Sequence, residues 1–531
     1  MIAISRHGSP ASVDLKLHRR RFTTAAAIFL GVAAVLLALH GQRLVLTNDE
    51  GIVLESARRM TAGERIYIDF FAIMSPGSYW LQALVFRVFG VGLWAGRLIV
   101  ILDFALQCAL VFWLTARLSS GRAATAVTLA FAGFQVADPA FLTSAHRWDS
   151  ATFALAGLCL AISAIADDRP WKWIVSGAAL AAAAWCTPSL GIVAIVVAVW
   201  MAASRKRRRS LTPLLAGATA VAVAGVAALL STGSLGAFFG QMAWLRQNYS
   251  GVNVLPYGSI IGGYDALLAG SHGILETMIR LILIGCVALP AILPPLGILL
   301  GGFVLRKSEQ RDVLLLLLPC VAALAVTAFP RADVMHLAFV AALPYVLVGT
   351  ALANLLPARP AGWLSIVAVL LATVFASNYL RGWRESSPVV SPAGTLQVAT
   401  FQAPDVQRLT QQVHPGDSLF VYPYMPVLYF LTQGQNPTRY SYLQAGMMTR
   451  AQESETLKEL QSRPPDWVLY MQLSREELLR VFPNGSDRDW RFVELESWLQ
   501  KSYRPIEGPP VSVGGYRLWQ RVPASQVSEI R

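Results

Sequence analysis

Charge is scarce in this sequence. Of 531 residues only 14% are Asp, Glu, Lys or Arg, against about 25% in an ordinary globular domain. Hydrophobic residues make up 55%, and the mean hydropathy is +0.50. Such a chain cannot hide its apolar surface in one water-soluble core, so the bilayer must act as solvent for most of it. Cysteine is scarce too. Cys108, Cys159, Cys186, Cys286 and Cys320 are widely spaced in apolar segments. That spacing offers no metal-type pair and leaves them as small apolar helix residues. Nor does any His/Cys/Asp spacing resemble a structural metal site. Internal repeats and low-complexity tracts are missing as well.

What the sequence does have is a net charge of +13. Nucleic acid is the wrong partner for it. The Lys and Arg cluster in short loops between apolar runs, which is how a membrane protein fixes its orientation. A spanning helix needs about 20 mostly apolar residues. Runs of that kind occur at about 22–40, 94–115, 122–138, 150–166, 171–186, 188–203, 211–231, 274–304, 312–329, 336–356 and 361–379. The boundaries around Thr187-Pro188 and within 274–304, where Pro290, Pro294 and Pro295 interrupt, are the least regular. The first run follows His18-Arg19-Arg20-Arg21 and exceeds a signal-peptide core, with no clear cleavage site after it. It reads as an uncleaved first span.

The expectation is an all-α polytopic membrane protein of about eleven transmembrane helices over residues 1–379, with a soluble α/β domain over 380–531. The N-terminus and the loops at 117–122, 167–172, 205–209, 306–311 and 357–360 hold most of the loop cations. By the positive-inside rule they are cytoplasmic. An odd number of spans puts the C-terminal domain outside, on the periplasmic side of a bacterial cytoplasmic membrane.

Three outer loops stand out. In loop 41–93, segments 50–62 and 77–89 show helical apolar spacing beside charges, as in helices lying in the interface. Loop 139–149 carries His146, Arg147 and Asp149, and loop 232–272 carries Phe238, Phe239, Trp244 and Arg246 on another interfacial helix. Beyond 380 the long apolar runs stop. Ser418–Tyr422 and Asp466–Tyr470 read as buried strands, with helical patterns at 404–413, 450–462 and 474–481. This domain has no nucleophile motif, no Gly-rich phosphate loop and no metal cluster.

Ionisable groups near the membrane and away from its cytoplasmic side are costly unless they function. Asn48-Asp49-Glu50 follows the first span directly. It serves either as the N-cap of the next helix or as chemistry, and both can coexist. Arg331, Asp333 and His336 lie between two spans. They form either a polar turn or a phosphate site, since Arg holds phosphate oxygens bidentately. Asp149 opens a helix and is a candidate cap as well as a candidate ligand.

At the first outer loop the sequence becomes recognisable. Asn48-Asp49-Glu50, Ala57-Arg58-Arg59-Met60, Gly63, Tyr67, Asp69-Phe70-Phe71, Ser75–Leu81 and Phe86–Gly90 together resemble the C-type glycosyltransferase superfamily. Bacterial relatives of the protein O-mannosyltransferases and of the transferases adding aminoarabinose or galacturonic acid to lipopolysaccharide are the nearest look-alikes. Arg331-x-Asp333-x-x-His336 resembles a second motif of bacterial members. Tyr429–Thr432 with Asn436–Tyr440 resembles their C-terminal region.

The resemblance implies an inverting transferase that moves one sugar from a polyprenyl-phosphate carrier to a lipid, glycan or protein acceptor at the outer face. Asp49 matches the family acid, with Glu50 beside it. Arg331, His336, Arg147, Asp149, Arg246 and Tyr67 are the candidate donor-phosphate and substrate contacts. No cofactor is implied. A divalent metal is not favoured, although Asp149 could complete a site in a diphosphate-donor oligosaccharyl or ligase-type enzyme. In aminoarabinose transferases a Lys before the first-loop Pro contacts the donor phosphate; here Ser75 takes that place. The rival from another class is a lipid-linked-sugar transporter. It predicts charges buried mid-helix and repeated halves with broken helices. A non-catalytic scaffold presenting the C-terminal domain would not explain acids and bases gathered on one face.

Overall fold

The computed structural model describes residues 10–136, 138–270, 273–306, 308–444, 446–484, 491–507 and 510–522. Every apolar run named above falls on helix. In chain order these are α1 (Pro10–Leu39), α4 (Leu93–Leu118), α5 (Gly121–Gln135), α6 (His146–Asp167), α7 (Pro170–Cys186), α8 (Gly191–Ala202), α10 (Leu211–Ser231), α13 (Ile274–Leu305), α14 (Arg311–Val326), α16 (Ala342–Leu355) and α17 (Ala358–Arg384). By length and composition alone, six of them can cross a membrane, namely α1, α4, α6, α10, α13 and α17, while α8 and α16 are shorter apolar helices. Between these runs lie α2 (Asn48–Thr61), α3 (Gly77–Phe89), the basic turn α9 (Arg205–Arg208), α11 (Leu235–Val252), α12 (Asp265–Leu268) and α15 (Val334–Phe339).

Two boundaries differ from expectation. The prolines of the 274–304 run do not break it, and Pro290, Pro294 and Pro295 lie inside one continuous α13. An apolar helix tolerates this where local adjustments and neighbouring groups take up the freed carbonyls. The 336–356 run instead divides at Val340-Ala341 into α15 and α16. At Thr187 the chain turns extended before Pro188, because the ring of a proline disfavours helix in the residue before it.

The bundle core is mostly aliphatic, with an aromatic cluster at its centre. Trp148 is fully buried and meets Phe104 and Phe339 edge-on, with ring centroids 5.8 and 5.3 Å away. One end of the bundle, the basic end, carries Arg117, Arg205–Arg209 and Arg306. The other end carries α2, α3, α11 and the C-terminal segment.

That segment begins with a hairpin, β1 (Ser386–Ser391) and β2 (Gly394–Ala399). A second sheet runs in the order β3 (Leu419–Tyr422), β4 (Trp467–Tyr470), β7 (Tyr516–Arg521), β5 (Tyr503–Pro505), with β6 (Ser512–Val513) pairing β7. Only β3 and β4 are parallel. Helices α18 (Ala403–Gln412), α19 (Val427–Thr432), α20 (Arg450–Ser462), α21 (Arg475–Val481) and α22 (Val493–Ser502) complete it.

Helix α2 is wedged between bundle and sheet. A Cβ on Gly51 would lie 2.1 Å from the Val427 nitrogen of α19. On the bundle side, a Cβ on Gly96 of α4 would lie 2.9 Å from the Leu54 side chain of α2. The backbone contact at Gly51 requires glycine, and α2 packs closely against α19 on one side and α4 on the other.

Candidate active site

Six separate pieces of chain meet at the domain end of the bundle around a cavity of about 420 Å³. Asp49 comes from α2, Ser75 from the turn before α3, and His146 and Arg147 from the first turn of α6. Thr187 and Ser189 come from the α7–α8 corner, Arg246 and Tyr249 from α11, and His336 from α15. Met74, Met242, Leu245, Phe329 and Pro330 supply apolar walls.

Asp49 is not the cap of its helix. Thr47 occupies the N-cap position, with no side-chain cap bond. Asp49 sits instead in the first turn, where the helix dipole favours a carboxylate. Its charge reaches Arg147, His336, Tyr249 and Tyr442. Burial, then the Asp49 charge, pushes the Tyr442 phenol well above its ordinary range, so Tyr442 stays a neutral donor.

The cations are held in different ways. Arg147 lies beside Tyr249 and within range of the charges of Asp49 and Asp333. Its neighbour His146 is fixed by Nδ1 to Thr187 Oγ1 at 2.7 Å. His336 Nδ1 sits 2.7 Å from Asp333 Oδ1, which leaves Nε2 for another partner. Asp333 also caps α15, accepting from the His336 amide at 2.9 Å. Burial pushes its carboxyl up, but the bonds from His336 and the charges of His336 and Arg331 outweigh this and hold it below the usual carboxylate range. Arg246 is exposed at the cavity and makes no ion pair among the described residues.

Four candidates lie elsewhere. Glu50 is fully buried and paired with Arg97 of α4, with Nη2 to Oε2 at 2.8 Å. A second bond joins Arg97 Nε to Glu50, and Arg97 also touches His40. His40 Nδ1 reaches Tyr379 at 2.7 Å, so α1, α2, α4 and α17 share one buried polar lock. Arg331 turns away from the cavity. It donates to Asp333 at 3.2 Å and to Asn253 at 3.4 Å, and stacks 5.2 Å over the Phe482 ring of the C-terminal segment. Asp149 points into the bundle beside Asp103. Tyr67 holds its own loop, donating to the Met74 carbonyl at 2.6 Å with a φ of 68°. That region strains a bulky residue.

Sequence reasoning missed Tyr249, Thr187 and Tyr442. Nothing in their local pattern marks them, since an aromatic on an amphipathic helix or after a strand is most often core. Among the described residues no group of three or more His, Cys, Asp or Glu is placed to hold a metal ion.

Residues 74–231 match the model of a family described as dolichyl-phosphate-mannose-protein mannosyltransferase. The matched stretch contains Ser75, His146 and Arg147 but not Asp49, Arg246 or His336. No curated protein sequence matches the chain. Among solved structures, ArnT from Cupriavidus metallidurans bound to undecaprenyl phosphate is 16% identical, with a TM-score of 0.51 over 94% of this chain and 99% of that one. Its apo form is 15% identical, with a TM-score of 0.53 over 95% and 98%. The Archaeoglobus fulgidus oligosaccharyltransferase complex with zinc and sulfate is 11% identical, with a TM-score of 0.50 over 95% of this chain and 74% of that one.

Proposed function

We propose that this chain, which has the fold of the C-type glycosyltransferase superfamily, moves one sugar from a polyprenyl-phosphate carrier to a hydroxyl of a lipid, glycan or protein. The observation that carries the reading is the single cavity in which one carboxylate, Asp49, faces Arg147, Arg246 and His336. Asp49 accepts the proton of the acceptor hydroxyl. The acceptor oxygen attacks the anomeric carbon from the face opposite the phosphate, and the bond to the phosphate oxygen breaks with inversion. The leaving phosphate gains charge, and fixed cations stabilise that change more than they stabilise the bound donor. Arg147 and Arg246 are the phosphate contacts. They take the place of the cation that Ser75 lacks, while His336 Nε2 completes the set. Arg331 holds the C-terminal segment against α11 and acts on the site only through it. The sugar leaves an already activated carrier, so no redox cofactor enters the scheme.

ArnT in its undecaprenyl phosphate complex supports a polyprenyl carrier as donor lipid. The cationic loops at the opposite end support an outer-face location of the cavity end in a bacterial cytoplasmic membrane. Reporter fusions at Arg207 and Gln412 should then report opposite compartments.

The test is a comparison of envelope glycolipid and glycoprotein mass spectra from cells with and without the gene. One sugar missing from one acceptor is the expected result, and identical spectra would overturn the proposal.

A further inference from the structure

The bundle holds a second carboxyl pair that the transfer scheme does not use. Asp103 on α4 and the buried Asp149 in the first turn of α6 are neighbours, one turn along from the 2.9 Å bond between Gln107 of α4 and Thr152 of α6. Neither forms an ion pair among the described residues. Asp103 Oδ2 is shielded from solvent and receives no hydrogen bond from a donor group. Thr152 lies beside Asp103 and accepts from Gln107 Nε2 at 2.9 Å, so α4 and α6 are joined again one turn along. Ser78 of α3 lies beside both Asp149 and Cys186, and Cys186 is part of the cavity wall.

Two ionised carboxylates cannot lie side by side in apolar surroundings without a cation. One proton between them removes the repulsion and makes a short, charge-assisted bond. The location of the proton follows from the helices. Asp149 sits at a helix N-terminus, where free amides and the dipole favour negative charge. Asp103 lies in the interior of α4, with no such support.

We infer that Asp103 and Asp149 hold one proton between them, carried by Asp103, and that this bond positions the cavity wall by tying α4 to the turn of α6 that presents His146 and Arg147. The carboxyls are positioning residues, since neither reaches the cavity. The activity readout rests on the transferase reading; the proton itself does not.

Infrared spectroscopy of the purified full-length protein at neutral pH should contain the carbonyl band of a protonated carboxylic acid, absent from Asp103→Asn. The amide of Asp103→Asn can still donate to Asp149, so this variant keeps turnover close to wild type. Asp103→Leu removes the donor and leaves Asp149 alone. Its kcat should fall about 10²-fold with KM little changed, the scale of an ångström-level misplacement. A wild-type protein without the band would overturn the shared proton. Full activity in a folded Asp103→Leu protein would overturn the positioning role. If the band is present in a protein that transfers no sugar, the shared proton stands and the transferase reading fails.

Discussion

The two ends of the helix bundle treat arginine in opposite ways. At the basic end Arg205–Arg209 come from one short stretch and four of the five are exposed. Arg209 pairs with Asp168 at 2.9 Å while 72% and 45% of the two side chains remain exposed. At the domain end Arg97 and Arg331 come from distant parts of the chain. Arg97 is fully buried against Glu50, and Arg331 is 7% exposed against Asp333 and Phe482. Exposed pairs contribute about 0–1 kcal/mol. Buried ones carry a desolvation cost that their own attraction only partly offsets. Charges at the basic end need no structural explanation beyond orientation. Charges at the domain end are kept for what they hold in place.

That contrast can be broken most sharply at Arg97. Arg97→Met leaves Glu50 buried without its partner, and loss of one member of a buried pair costs about 3–5 kcal/mol. Thermal unfolding of the purified protein in detergent should fall accordingly, and Arg97→Met with Glu50→Gln should recover part of the loss. An unchanged midpoint for Arg97→Met would mean that the lock does not hold α2.

The next effect is smaller and falls on function. Arg147→Ala and Arg246→Ala should each lose about 1.5–3 kcal/mol in kcat/KM, the worth of a hydrogen bond to a charged group, with folding retained. Arg331→Ala should act differently, weakening the docking of the C-terminal segment and so lowering stability along with rate. If Arg331→Ala alone impairs donor use in a protein of full stability, the phosphate lies nearer Arg331 than the cavity geometry allows. At the small end, Arg209→Ala should change stability by under about 1 kcal/mol and leave transfer untouched. A large loss there would erase the difference between the two ends.

Much of this was legible in the sequence because a single helix or strand encodes it. The eleven apolar runs, the helices at 48–61 and 77–89 and the strands at 419–422 and 467–470 follow from local periodicity. Asp49, Arg147, Arg246 and His336 were candidates and do line one cavity. Neighbours of these residues misled for a geometric reason. At 3.6 residues per turn, consecutive helical residues point about 100° apart, so Glu50 faces Arg97 while Asp49 faces the cavity. Arg147 and Asp149, two apart on α6, likewise part company. Arg331 follows the C-terminal segment through Phe482, a contact across some 150 positions of chain that no local pattern carries. The β1–β2 hairpin was also missed, because Ser386-Ser387-Pro388 reads as loop until the partner strand is known.

The central claim is that Asp49 is the base, and Asp49→Asn tests it most directly. Asn keeps the size and shape of Asp but cannot accept the proton. The purified variant, compared with wild type and with Glu50→Gln, should fold normally and bind undecaprenyl phosphate as the parent does. Its rate of sugar transfer should fall about 10²–10⁴-fold, the usual worth of general base catalysis. A fully active Asp49→Asn protein would contradict the assignment.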